Sequence, residues 1–219
     1  MVSVFIPLRS GSKSITDKNI KLFNGKPLCY WVLKACQYSK LIDEIIVAID
    51  SKKYENIISD FKFDKIKFYN RKPINSKDMS SSESVILEYL STDNLPLNSI
   101  FLLVQATSPH LNSNELDEMI LKSQSENTDV VSCVRLKRFI WGENGVPLNY
   151  NISQRPRRQE FEGLLVENGA VYISRVNKII DSNCRVSGRI SLYEMNENSF
   201  FEIDEDQDFL ISELLMKGF

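Results

Sequence analysis

The sequence predicts one α/β domain in three layers: a twisted, mostly parallel sheet with helices on both faces, an α/β/α arrangement. Three observations carry that expectation. Apolar runs of strand length recur at Val2–Leu8, Ile45–Ile49, Lys65–Tyr69, Ile100–Val104 and Asp129–Val134, as buried strands should. Between them lie segments with apolar residues at helical spacing, the alternation that joins parallel strands by right-handed crossovers. The chain's 219 residues suffice for one sizeable domain, read as spanning 1–219.

Val2 to Leu8 is rich in β-branched residues and breaks into Arg9-Ser10-Gly11-Ser12-Lys13, with Lys18 and Asn19 beyond. A glycine among small hydroxyl residues lets the backbone approach a ligand and aim N–H groups at an anion. With Arg9, Lys13 and Lys18 around it, the loop has the composition of a triphosphate cradle, or of a solvated basic turn. It matches neither G-x-x-x-x-G-K-[ST] nor G-x-G-x-x-G, which sets aside both of those phosphate loops.

Ile20 to Gly25 reads as a turn closing on Pro27, a good first residue for a helix over Leu28–Ser39. Leu28, Trp31, Val32, Ala35 and Cys36 form its apolar face. After Ile45–Ile49, Ser51 is placed to cap a helix over Lys52–Phe61. The strand Lys65–Tyr69 gives way to a polar run, Asn70 to Ser82, and then a helix over Glu83–Leu90 capped by Ser81 or Ser82. Ile100–Val104 delivers Gln105-Ala106-Thr107-Ser108-Pro109 at its carboxyl end, where open parallel sheets hold ligands. A helix over Asn112–Ser125 and a strand over Asp129–Val134 follow.

The pattern then breaks. Arg135 to Glu167 is basic, aromatic and irregular, and so long an insertion in a compact domain is functional or meets a partner. Its arginines interleave with aromatics as in RNA-binding segments, but Glu143, Glu160 and Glu162 oppose that reading. Glu167 to Ile173 reads as a turn into a strand, and Arg189–Met195 as another strand. In Phe201 to Asp208, alternation puts Glu202 and Asp204 on one face and Ile203 on the other. Two carboxylates so spaced suit a hard cation, Mg²⁺ or Mn²⁺. Asp206–Met216 closes the chain as a helix with acids in its first turn.

A formal charge of −2 gives no basic field for nucleic acid or an anionic membrane, so neither is expected as a partner. No apolar run approaches a membrane span and no leader precedes the first strand, so a cytoplasmic location is expected. Cys29, Cys36, Cys133 and Cys184 lack metal-ligand spacing and read as small buried hydrophobes. With His110 the only histidine, a structural zinc site and a Ser/His/Asp triad are both disfavoured.

The block R-S-G-S-K-S-I-T-D-K-N-I-K with N-G-K-P-L, followed by N-R-K-P-I-N-S-K-D-M-S-S-S-E-S, L-V-Q-A-T-S-P, Q-R-P-R-R-Q-E-F-E-G, E-N-G-A-V-Y-I and E-I-D, resembles the CMP-sialic acid synthetases (acylneuraminate cytidylyltransferases) in order and over nearly the whole chain. The resemblance implies a Rossmann-like nucleotidyltransferase fold with a protruding dimerisation arm at 135–167. It implies CTP and an acidic nine-carbon keto sugar as substrates, and a homodimer built through that arm. By the same resemblance, Arg9, Gly11, Ser12, Lys13, Lys18, Asn19, Arg71 and Ser82 bind the nucleotide, with Arg9, Lys18 and Asp204 central to catalysis. Gln105, Arg157 and Tyr172 hold the sugar, and Asp204 with Glu202 holds the metal. Glu202 stands where the family usually has aspartate, and Tyr172 is equally placed to be a core aromatic. The R-P-R-R-Q segment favours nine-carbon acids over Kdo, and the alternative among enzymes is the same chemistry on legionaminic, pseudaminic or deaminated sialic acid, or on Kdo itself. A non-catalytic nucleotide-binding regulator is the alternative from another class, and it would have no need of the acidic pair.

Overall fold

The computed structural model describes residues 1–11, 14–76 and 80–217. In chain order its elements are β1 (Val2–Pro7), a ribbon of β2 (Leu22–Phe23) and β3 (Lys26–Pro27), α1 (Leu28–Tyr38), β4 (Glu44–Ile49), α2 (Lys52–Ser59) and β5 (Ile66–Asn70). Then come α3 (Ser82–Thr92), β6 (Ile100–Val104), α4 (Ser113–Glu126), β7 (Asp129–Leu136), β8 (Leu164–Arg175), α5 (Val176–Ser182), β9 (Ile190–Glu194) and α6 (Asp206–Lys217).

Seven strands form one sheet in the order β5-β4-β1-β6-β8-β7-β9. β1 lies parallel to β4 and β6, β4 to β5, and β7 to β9; β8 alone runs antiparallel to its neighbours β6 and β7. The two-residue period of a strand divides the core. Val4 and Ile6 pack with Val32, Leu33, Tyr54, Leu116 and Ile120, so α1, α2 and α4 cover one face. Phe5, Phe101 and Leu103 pack with Val85, Ile86, Tyr89, Val176 and Ile179, so α3 and α5 cover the other. The three layers expected from sequence are present.

From β1 the chain winds outward to β4 and β5, then returns to β6 on β1's other side. The loops after β1 and β6 therefore leave adjacent carboxyl ends, the edge of the sheet at which such folds hold ligands. A third cluster sits beside it: Ile15 of the first loop, Phe23 of the ribbon, Leu28 of α1, and Ile203 and Phe209 from the chain's end. The Phe23 and Phe209 rings meet edge to face at 5.3 Å, and Glu213 accepts from the Asn24 backbone N–H at 2.7 Å.

Several expectations need correction. The segment Ile20–Gly25 is a 3-10 turn over Lys18–Ile20 followed by a hairpin turning at Asn24-Gly25, not one simple turn. Ser51 stands before α2 without a side-chain capping bond. α5 is too short, at seven residues, for helical periodicity to show in the sequence. Glu167–Ile173 is not a turn, because β8 is continuous from Leu164; its register against β7 shifts between Val131 and Cys133. Phe201–Asp204 is not a strand; Ile203 N–H donates to the Thr107 carbonyl at 3.4 Å. Cys184 is exposed, whereas the other three cysteines are buried, and all four are free.

The segment between β7 and β8 folds onto itself. Trp141 bridges Pro147, Phe139 packs on Tyr150 and Phe161, and Arg155 lies over Phe139 at 4.3 Å. Among the described residues, no helix is long and apolar enough to cross a membrane.

α6 is tied back by His110, whose Nε2 lies 2.9 Å from the Ser212 hydroxyl. Burial pushes the His110 pKa below its ordinary value. The unfolded chain therefore binds this proton more tightly, and the stability is complete above about pH 6.5 and is lost as pH falls through the lower, folded value. Melting temperatures at pH 7.5 and 5.5 should drop more in the wild type than in His110→Asn; equal drops would contradict this.

Candidate functional site

The loop after β1 is pinned from three sides. Leu8 N–H donates to the Ala48 carbonyl at 2.8 Å, Ser10 N–H to Asp50 Oδ1 at 2.9 Å, and Asn19 Nδ2 to the Arg9 carbonyl at 3.1 Å. Asn19 is thus buried beneath the loop, a brace holding Arg9 in place. Gly11 has φ +73°, a left-handed backbone that side chains other than glycine resist. Ser12 and Lys13 lie outside the described residues.

Lys18 closes the loop on the chain's other end. Its ammonium donates to the Ile203 carbonyl at 2.6 Å and meets Asp204 Oδ1 at 3.2 Å. Ile203 is fully buried in the small cluster described above, so the carboxylates on either side of it are held at the loop rather than merely near it. Asp208 accepts from the backbone N–H groups of Asp204 and Glu205 at 3.1 and 2.9 Å, fixing the entry to α6.

Glu202 also reaches the end of β6 and the middle of β8. Its carboxyl lies against the Gly169 backbone, where an added Cβ would come within 2.9 Å of it, and 3.4 Å from the Thr107 hydroxyl. Gly169 has φ +70°, so a side chain there would meet both strain and collision. Burial of this carboxyl, then the neighbouring Asp204 charge, raise its pKa, although much of the residue faces solvent. Thr107 ties Glu202 to the end of β6, where Gln105 N–H donates to the Ala170 carbonyl at 3.0 Å.

Arg71 leaves the end of β5 toward the same crevice. Its pKa is lowered by burial, held up by Asp50, and lowered again by the Arg9 guanidinium. The Arg71 guanidinium thus senses the charges of Asp50, Arg9 and Glu88. The Arg71 Nε is buried without a hydrogen-bond partner among the described residues, a costly state for a charged donor. Ser81 caps α3 by accepting from Ser84 N–H, which leaves Ser82 as the helix's first residue and its side chain free of that role.

The sugar-side candidates divide. Gln105 is at the crevice. Tyr172 is 6 % exposed within the core on the α3 face; its hydroxyl donates to Glu167, and the Arg185 guanidinium stacks on its ring at 4.8 Å. Arg157 is exposed and its side chain reaches none of these residues, making no polar contact among the described residues. Sequence reasoning passed over Asp50, Thr107, Glu167 and Arg185. Asp50 ends a strand adjacent to β1, a position that could have marked it. Arg185, paired with Glu83, follows α5, whose own signal was too short to read.

Among the described residues, no group of three or more His, Cys, Asp or Glu forms a metal cluster. A cavity of about 910 Å³ lies at the base of the 137–163 segment, among Leu136, Arg138, Arg158, Met195 and Phe201.

The chain matches the family described as cytidylyltransferase over residues 3–214. It is 36 % identical to N-acylneuraminate cytidylyltransferase B of Danio rerio, over 96 % of this chain and 50 % of that protein. It is 28 % identical to the N-acylneuraminate cytidylyltransferase of Streptococcus agalactiae serotype V, over 94 % of this chain and 51 % of that one. The chain thus spans about half the length of the curated relatives it matches. Two solved structures share the fold: 4-diphosphocytidyl-2C-methyl-D-erythritol synthase of Anaerococcus prevotii (TM-score 0.70, 17 % identity, 99 % of this chain and 98 % of that one) and CMP:2-keto-3-deoxy-manno-octonic acid synthetase complexed with CTP (TM-score 0.68, 14 % identity, 99 % of each chain).

Lys18→Met removes the donor shared by Ile203 and Asp204. A charge-assisted bond at this half-buried position is worth about 1–2 kcal/mol, so Tm should fall by roughly 2–8 °C. An unchanged Tm would show that the contact does not hold the two chain ends together.

Proposed function

This chain belongs to the cytidylyltransferase family, and from that premise we propose that it transfers CMP from CTP to the anomeric hydroxyl of a nine-carbon α-keto acid sugar of the N-acylneuraminate type. The hydroxyl oxygen bonds to the α-phosphorus, the bond from that phosphorus to the bridging oxygen breaks, pyrophosphate leaves, and the hydroxyl proton passes to solvent or a base. The carrying observation is Lys18, which joins the loop of Arg9 to Asp204 at 3.2 Å.

In this reading Arg9, Lys18 and Lys13 neutralise the phosphates, Ser12 donates a hydrogen bond to them, and Asn19, Arg71 and Ser82 hold the nucleotide. The protein's contribution is position and charge, since phosphoryl transfer asks little covalent work of side chains. Asp204 and Glu202 fit a divalent cation, Mg²⁺ or Mn²⁺. The two carboxylates bring charge that one lysine only partly offsets, and such ions take one or two carboxylates beside substrate phosphates and water. The bound ion would polarise phosphoryl oxygens.

Gln105 is placed to orient the acceptor. Tyr172 supports that pocket from the core, through Glu167 and Arg185. Arg157 reaches a sugar through a second copy of the chain, the arm packing across a homodimer. Its exposed Trp141, Val146, Leu148 and Ile152, each at least 50 % accessible, are the apolar surface such packing needs. The free cysteines suit a reducing cytoplasm.

Pyrophosphate release with CTP, Mg²⁺ and a panel of keto acid sugars tests the reading. Release should require an acidic nine-carbon acceptor, and should be abolished in Arg9→Ala and Asp204→Asn that melt as the wild type does; wild-type rates in either would refute its role. Arg157→Ala should raise KM for the sugar and leave that for CTP unchanged, and the reverse pattern would count against it.

A further inference from the structure

Glu88 lies on α3 and is only 8 % exposed. Burying a carboxylate is expensive unless it is thoroughly hydrogen-bonded, and the partners of this one all belong to a single stretch of chain. Glu88 Oε1 accepts from the Tyr69 hydroxyl at 2.6 Å and from Lys72 N–H at 2.9 Å, while Oε2 accepts from Asn75 Nδ2. That stretch brackets Arg71. The Arg71 backbone N–H donates to the Ile49 carbonyl at 2.8 Å, and its Nη2 donates to the Asn75 carbonyl at 2.6 Å. Asn75 Nδ2 also reaches the Ser84 carbonyl at 3.3 Å.

The result is a strap from Tyr69 to Asn75 whose curvature is set by one carboxylate. One nitrogen of the Arg71 fork is spent on the strap, and Nε is left buried without a partner among the described residues. An orphan charged donor so held is an acceptor site in waiting, and burial has raised the cost of leaving it empty.

We propose that Glu88 is the positioning residue for Arg71: through Asn75 and the Lys72 backbone it aims the guanidinium at an anionic group of the nucleotide, without touching the nucleotide itself. This rests on the proposed CTP site.

The test is CTP affinity by calorimetry alongside pyrophosphate-release kinetics for Glu88→Ala, Asn75→Ala, Arg71→Ala and the double variant Glu88→Ala/Arg71→Ala. Glu88→Ala should weaken CTP binding and raise its KM about tenfold, the worth of one charge-assisted hydrogen bond, with kcat and the sugar KM nearly unchanged. In the Arg71→Ala background it should add nothing further. Glu88→Gln sets two amide N–H groups against each other, and the exchange Glu88→Gln/Asn75→Asp, which restores a donor–acceptor pair, should recover part of the affinity. Wild-type CTP affinity in Glu88→Ala, additivity with Arg71→Ala, or a loss confined to kcat would overturn the proposal. A wild type that binds no CTP would overturn the nucleotide reading itself. Should Glu88→Ala fail to fold, Asn75→Ala and the exchange variant carry the same comparison.

Discussion

One ammonium group holds the two ends of this chain to each other. Lys18 lies on the first loop, and its Nζ donates to the carbonyl of Ile203 while facing the carboxylate of Asp204. Closing a loop of that sequence separation has an entropic cost, and one exposed ion pair would not offset it. The apolar cluster of Ile15, Phe23, Leu28, Ile203 and Phe209 does. Each such side chain contributes about 1.5–3 kcal/mol when fully buried. The hydrophobic contact therefore brings the ends together, and the lysine sets their register.

The electrostatics of the crevice follow from that closure. On one side the Arg71 guanidinium feels Arg9 as a like charge, and Asp50 and Glu88 as opposite ones. Glu202 and Asp204 crowd each other on the other, with Lys18 as partial relief. Neither arrangement is one that stability alone would select, since like charges placed close together destabilise the folded state. A polyanion bound with a divalent cation would satisfy both sides at once.

Much of this was legible in the sequence. β1, β4, β6 and β7 announce themselves as apolar runs, because a strand buried on both faces has no polar positions to confuse the pattern. The loop Arg9–Asn19 was visible as cations beside small residues, and the Glu202/Asp204 pair as carboxylates alternating around Ile203. What stayed hidden depended on long-range pairing. β8 reads as a turn at Glu167 because Asn168-Gly169 is turn chemistry, yet pairing with β6 and β7 makes it strand, with the glycine serving to admit Glu202. Tyr172 could not be assigned between core and pocket until its hydroxyl was seen bonded to Glu167. Glu88 gave no signal at all, since an acid on an amphipathic helix is ordinarily a solvated one.

The central claim is convergence: cations from the amino-terminal loop and carboxylates from the final segment meet on one metal-bound nucleoside triphosphate. A crystal structure with CTP and Mn²⁺ tests it most directly. The account predicts the triphosphate along residues 9–19 and an anomalous manganese peak coordinated by Asp204. Nucleotide bound elsewhere on the sheet, or manganese away from both Asp204 and Glu202, would contradict it.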